Sequence, residues 1–260
     1  MLFRSQANLI VPTGEMQVNL KDITRNIMAR EKALYEGHPV AAVAAISEAV
    51  AKQALALIKV DYKVLPHVID VADAMKPGAP ILHEGMMTEG ANPPATKPSN
   101  IAKRIDNVKG DVEAGFKQAD VIIEKNYTTQ AVHQGYIEPH ACLVSYADGK
   151  ATIWSSSQGQ FMVRAMCSYL SGIPQSNIRA IPAEIGGGFG GKTIVYLEPV
   201  ALALARKAGR PVKMVMSREE VMRASGPTSG SSSTVKIGAK KDGTIVAAQG
   251  TWYLQAGAFP

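Results

Sequence analysis

The sequence predicts a mixed α+β fold. Three observations carry that reading. A helix signature sits between two short apolar or alternating runs within residues 40–65. Alternating segments joined by a tight turn run from residue 121 to 155. A second alternating hairpin closes the chain at residues 234–253, set apart from the first by helical segments. With 260 residues, 46% hydrophobic and 19% charged, the chain can bury one large core or two modest ones, which excludes collagen-like, coiled-coil and disordered classes.

The elements follow in chain order. Residues 1–20 show no clear periodicity. Gly37, His38 and Pro39 interrupt the chain before an apolar run at 40–46, which is too short for a lone helix and reads as a buried strand. Ser47 is an N-cap with Glu48 in the first turn, opening an amphipathic helix to about Leu57. Residues 59–65 set Val60, Tyr62 and Val64 against Lys59, Asp61 and Lys63, the alternation of a half-buried strand ended by Pro66. Gly85, Gly90, Pro93, Pro94 and Pro98 give residues 85–100 the composition of a linker.

Beyond it the pattern predicts a short helix at 111–119, a strand at 121–129 and a hairpin of 141–146 with 152–155 across the Asp148-Gly149 turn. A helix at 161–170, a strand at 178–181 and a glycine-rich loop at 186–192 come next. Residues 193–207 read as an apolar helix with Gly209 past its end, and Pro199 inside it implies a kink or a late helix start. A strand at 212–216, a helix at 218–222 capped by Ser217, and a hairpin of 234–237 with 244–253 across Lys241-Asp242-Gly243 complete the chain.

Charge and cysteine usage narrow the function. The 28 basic and 22 acidic residues leave a net charge of +6, but the basic residues are scattered and no stripe interleaves them with aromatics, so a nucleic-acid partner is not expected. The longest apolar run falls far short of the roughly 20 residues of a membrane-spanning helix, and no signal-peptide pattern opens the chain. Cys142 and Cys167 cannot build a disulfide framework, a four-thiolate zinc site or an iron–sulfur cluster, and their apolar neighbours mark them as inert buried thiols. A cytoplasmic protein without a membrane span is the expectation.

Three segments invite a chemical reading. Residues 186–193, GGGFGGKT, satisfy the Walker A pattern between a strand and a helix, so a P-loop nucleotide hydrolase is one alternative. The next strand ends in Ser217-Arg218 rather than in the carboxylate such enzymes need for Mg²⁺, and five glycines in six positions exceed a Walker loop's needs. They suggest that backbone approaches something large and closely shaped. Residues 155–160, SSSQGQ, alone read as a serine-rich turn with a glutamine capping the next helix. Residues 134–140, QGYIEPH, gather Glu138, His140 and nearby His133 without metal-ligand spacing, and Pro139 restricts Glu138 to a turn.

Taken in order, EPHACLVSY (138–146), SSSQGQ (155–160), GIPQSNIRAIPAEIGGGFGGK (172–192) and GRPVKMVMSREE (209–220) resemble the molybdenum-binding large subunit of the xanthine dehydrogenase / aldehyde oxidase (molybdenum hydroxylase) family. YEGHPVAAVAA (35–45) followed by VDYKVLPHVIDVADAM (60–75) looks like that family's α/β hammerhead domain lacking its beginning. The resemblance implies a hammerhead-like part at 1–84, a linker at 85–96 and the N-terminal part of a mixed α+β molybdopterin-binding domain at 97–260, in an apparently incomplete chain.

The resemblance also implies chemistry. Such subunits oxidise an aldehyde or an N-heterocycle carbon with water as oxygen source, using molybdenum-molybdopterin, in some members as the cytosine dinucleotide. Electrons leave through [2Fe–2S] clusters and FAD, expected here on an iron–sulfur small subunit and an FAD-binding medium subunit. Gln158 would hydrogen-bond a ligand of the molybdenum, an uncharged amide donating without adding charge beside the metal. Gly187, Gly188, Phe189 and Gly190 would lie against the cofactor, and Phe189 and Thr193 would line the substrate pocket. Gln158 and Phe189 should therefore lie near each other.

Purine-oxidising members carry a glutamate where this sequence has Thr193. No position here matches the family's general-base glutamate, so no catalytic residue is assigned. The chain alone is expected to be an inactive module, with apolar surface exposed at 200–205 and 245–254.

Overall fold

The computed structural model describes residues 10–13 and 16–259, with side-chain surroundings from Thr24 onward. In chain order the elements are β1 (Ile10–Thr13), β2 (Met16–Asn19), α1 (Leu20–Ile27), α2 (Glu48–Leu57), α3 (Val71–Ala74), α4 (Val112–Lys117), β3 (Val121–Thr129), β4 (Ala141–Ala147), β5 (Lys150–Ser155), α5 (Gln160–Ser171), β6 (Ile178–Pro182), α6 (Glu198–Ala208), β7 (Val212–Val215), α7 (Arg218–Ala224), β8 (Ser231–Ala239) and β9 (Ile245–Leu254). The fold is mixed α+β, as the order of patterns predicts.

Two compact units divide the chain. One gathers the described residues up to Tyr62 with His133–Pro227 and Phe259, and the other gathers Lys63–Val132 with Thr228–Ala258. The first unit holds a four-stranded sheet ordered β6-β5-β4-β7, in which β5 and β6 are parallel and the other pairs antiparallel. The β4–β5 hairpin pairs Cys142 with Ser155 and Ala147 with Lys150 across the predicted Asp148-Gly149 turn. Helices α5 and α6 pack together and against this sheet. Val144, Ile153, Val163, Cys167, Leu170, Ala201, Leu202 and Ala205 form their shared interior, each 1% exposed or less. In the second unit β3, β8 and β9 form an antiparallel sheet, Val121 pairing with Ala239 and Thr129 with Ser231.

Helix ends follow their caps. Ser47 Oγ accepts from the N–H of Val50, and Asp111 caps α4 through Ala114. Ser217 and Glu220 form a reciprocal capping box on α7. Pro199 lies in the first turn of α6, which starts at Glu198; the late start is the one that keeps proline where its missing N–H costs nothing.

Two predicted strands are absent. Residues 40–46 and 59–65 run without strand structure on either side of α2, and Ile46, Tyr62 and Val64 are exposed. Extended chain becomes a strand only when a neighbour takes its N–H and C=O groups. Among the described residues no strand pairs with either run. The exposed surface expected at 200–205 is also corrected: Val200, Ala201, Leu202 and Ala205 are buried because α6 lies on β4 and α5. At 245–254 the expectation holds for Ile245, Trp252 and Leu254, each more than half exposed.

The core assignment makes a direct prediction. Leu202→Ala should destabilise the chain by about 2–5 kcal/mol through lost burial and a cavity, whereas Leu57→Ala on exposed α2 should stay within about 0.5 kcal/mol. Urea unfolding of both variants checks the contrast.

Candidate active site: the glycine loop and its supports

Between β6 and α6 the chain makes the glycine-rich loop of residues 186–192. Its backbone enters the left-handed region at Gly187 (φ 95), Phe189 (φ 49) and Gly190 (φ 91). Glycine makes the first and last of these cheap. At Phe189 a side chain is held in a conformation that costs about 1–3 kcal/mol, and the ring stands 73% exposed. A loop holding such a residue must be fixed from outside, and two side chains do this.

The first is Gln158, on the turn between β5 and α5. Its Oε1 accepts from the N–H of Gly190 at 3.0 Å and of Lys192 at 3.1 Å. Its own backbone N–H donates to Lys192 O at 2.9 Å, and Ser157 Oγ donates to the same carbonyl at 3.2 Å. Gly188 lies against the carboxamide so closely that a Cβ there would sit 2.5 Å from Oε1. With Oε1 engaged twice, the orientation of the amide is fixed. Gln158 is exposed, and its Nε2 meets no protein acceptor among the described residues. Gln158 thus does not cap α5; Gly159 occupies that position, its N–H donating to Ser157 Oγ at 3.1 Å.

The second support is Glu138. Its Oε2 accepts from the N–H of Gly186 at 2.8 Å and from Lys192 Nζ at 2.6 Å. One carboxylate oxygen therefore ties both ends of the loop. The Lys192 side chain is wholly buried, its ammonium 5.0 Å from the Tyr136 ring centre. Arg218 holds the turn that presents Glu138, donating to the carbonyls of Tyr136 (3.0 Å) and Ile137.

Beneath the loop lies a buried polar cluster. Tyr136, 1% exposed, shares hydrogen bonds through its hydroxyl with His140 Nε2 (2.7 Å) and Ser225 Oγ (3.2 Å). His133 Nδ1 accepts from Gly135 N–H at 3.0 Å, so its proton is on Nε2, which faces Ser225 Oγ at 3.0 Å. Gly191 closes over this cluster, since a Cβ there would meet Tyr136 Cε1 at 2.7 Å. Burial first, then the nearby Lys192 and His133, push His140 down to about 4. His133 is likewise lowered by burial and by Arg218. Both rings are neutral at pH 7 and act as fixed hydrogen-bond partners.

The geometry separates the sequence expectations. Gln158 meets Gly188 and Gly190, the residues that flank Phe189, so the two segments come together. Thr193 spends its hydroxyl on Gly190 O at 3.0 Å. The Walker arrangement fails. α6 opens at Glu198, several residues beyond Thr193, and Lys192 points into the interior toward Glu138 instead of toward a ligand in the loop. Cys142 and Cys167 are buried, with burial raising both thiols, as inert cysteines should be. Among the described residues no group of His, Cys, Asp and Glu is placed to hold a metal ion. Sequence reading treated Glu138 only as part of a turn and missed its pairing with Lys192. A lone lysine in a run of glycines ahead of an apolar segment was the available signal.

Comparison with known proteins decides the family. The molybdopterin cofactor-binding domain family matches residues 94–260, and the aldehyde oxidase and xanthine dehydrogenase a/b hammerhead domain family matches residues 6–66. The chain belongs to the xanthine dehydrogenase / aldehyde oxidase family of molybdopterin-binding subunits. It is 33% identical to a probable hypoxanthine oxidase of Escherichia coli (strain K12), across 91% of this chain and 27% of that protein. It is 32% identical to the carbon monoxide dehydrogenase large chain of Afipia carboxidovorans, across 90% of this chain and 29% of that one. The structure of reconstituted CO dehydrogenase from Oligotropha carboxidovorans superposes with a TM-score of 0.79 at 33% identity, over 87% of this chain and 29% of that chain. The chain thus spans less than a third of the length of these relatives. Among the described residues no helix is long and apolar enough to cross a membrane.

The buried histidine makes acid behaviour predictable. Because His140 has a lower proton affinity folded than unfolded, its contribution to stability is full above about 6.5 and is lost as pH falls toward 4. The loss should amount to about 3 kcal/mol. Thermal unfolding from pH 7.5 to 4 should show it, and His140→Gln should flatten that slope.

Proposed function

We propose that the chain forms part of the molybdopterin-binding subunit of a molybdenum hydroxylase that oxidises an aldehyde or N-heterocycle carbon, with water as oxygen source. The observation that carries this is the fixed carboxamide of Gln158. Two loop amides hold its oxygen, which leaves its N–H₂ as a donor without a protein acceptor among the described residues. Among the described residues, the N–H groups of Gly187, Gly188 and Phe189 also meet no acceptor. Unengaged donors on a rigid frame suit an oxygen-rich, anionic cofactor. These residues fit molybdenum-molybdopterin.

In this reading Gln158, Gly187, Gly188, Phe189 and Gly190 hold the cofactor, which when bound supplies two-electron oxidation of carbon. Gln158 donates a hydrogen bond without bringing charge, and the loop amides orient the group against the protein. The exposed Phe189 ring and Thr193 line the substrate side. Thr193, with its hydroxyl turned to Gly190 O, offers a neutral wall, and this favours substrates that need no carboxylate partner at that position. The cytosine dinucleotide is one form of cofactor this reading admits.

The reading extends to organisation. We assign residues 1–84 to the hammerhead part, 85–96 to the linker and 97–260 to the N-terminal part of the cofactor domain. An iron–sulfur small subunit and an FAD-binding medium subunit receive the electrons, since two buried cysteines cannot ligate [2Fe–2S] clusters. Free thiols suit a reducing compartment such as the cytoplasm. The chain alone carries no residue assigned as base, a step typically worth about 10²–10⁴-fold, and is expected to be inactive by itself.

The test is expression in a host that makes the cofactor. Molybdenum and pterin should copurify with the chain, and Gly188→Ala, which drives a methyl into the Gln158 carboxamide, should lower that content, as should Gln158→Ala. Mg²⁺-dependent ATP turnover without bound molybdenum would overturn the reading. Incubation with aldehydes and N-heterocycles plus an artificial electron acceptor should give no turnover; turnover abolished by Gln158→Ala would refute the inactivity of the chain alone.

A further inference from the structure

Lys192 is a charged side chain with no exposed surface, and its partner Glu138 is 30% exposed. Burying an ammonium is costly, and a carboxylate partner offsets that cost only when its geometry is good and its remaining lone pairs are used. Here they are used. Glu138 Oε2 lies 2.6 Å from Nζ and also takes the Gly186 N–H at 2.8 Å, while the Glu138 N–H donates back to Gly186 O at 3.3 Å. Glu138 and Lys192 stand 54 positions apart in sequence. The pair joins the first residue of the glycine loop to the residue that ends it, and Lys192 N–H in turn holds Gln158 Oε1.

We propose that Glu138 and Lys192 are positioning residues. Their buried ion pair closes the base of the loop and thereby sets the direction of the Gly187, Gly188 and Phe189 amides and of the Gln158 carboxamide. This rests on the cofactor reading for its purpose but not for its test. Removing the carboxylate leaves a buried ammonium without a counter-charge and also removes the acceptor of Gly186. Removing both charges relieves the first defect and keeps the second. A pair that served only global stability would show the two variants differing everywhere alike. A pair that positions the loop would show a local defect surviving in the neutral double variant.

The experiment compares the wild-type chain with Glu138→Met, Lys192→Met and the double variant, by hydrogen exchange of the peptides covering 186–192 and 160–171 and by thermal unfolding. Glu138→Met should lower the unfolding temperature and speed exchange at 186–192 by about tenfold or more. The double variant should recover most of the unfolding temperature yet keep the fast exchange at 186–192, with 160–171 as protected as in wild type. Unchanged exchange at 186–192 in Glu138→Met, or full recovery of its protection in the double variant, would overturn the proposal. The molybdenum content of the wild-type chain is read separately. If it is nil, the cofactor reading fails while the exchange result still decides the role of the pair.

Discussion

A single ammonium group in the interior organises the glycine loop. Lys192 is drawn inward because Glu138 waits there, and Glu138 is available because Arg218 fixes the carbonyls of Tyr136 and Ile137 just before it. Once the lysine is anchored, its backbone N–H and C=O are in place for the side chain and backbone of Gln158. The loop is then closed at its base and held along one side. Its middle, with Phe189 in a left-handed conformation, is left free to face outward. A glycine-rich segment without these supports would sample many conformations, since glycine loses more freedom on ordering than any other residue.

The core supplies the platform. Gln158 follows shortly after β5, Glu138 comes shortly before β4, and the loop bridges β6 and α6, so the loop and its two supports rise from the same four-stranded sheet. Close packing of α5 and α6 on that sheet turns side-chain positions at its end into fixed ones. Glu198, buried at the start of α6, joins Ser155 at the end of β5 and the Tyr196 N–H (3.1 Å), which ties the far side of the loop to the same strand. The neutral His140 and His133 fill the space below without adding charge to that of Lys192.

Much of this was legible locally. The hairpins announced themselves through alternation and through Asp148-Gly149 and Asp242-Gly243, where tight turns need residues that accept positive φ. Ser47, Asp111 and Ser217 marked helix starts that the structure keeps. The runs at 40–46 and 59–65 misled because a pattern can specify extended chain but not the partner strand that a sheet requires. At the site, the glycine run was visible at once, but its meaning was not. The same residues 186–193 fit a phosphate loop until the structure shows Lys192 turned inward and the helix beginning at Glu198. The family resemblance pointed to Gln158; the Glu138–Lys192 pair joins distant parts of the chain, and the lone lysine after the glycine run marks only one of its two members.

The central claim is that two side chains hold this loop rigid at its ends and leave its middle amides unengaged. Residue-resolved amide exchange of the wild-type chain by NMR addresses it most directly. Slow exchange at Gly186, Gly190 and Lys192, with fast exchange at Gly187, Gly188 and Phe189, is the result predicted. Uniformly fast exchange across residues 186–192, or protection centred on Gly188, would contradict it.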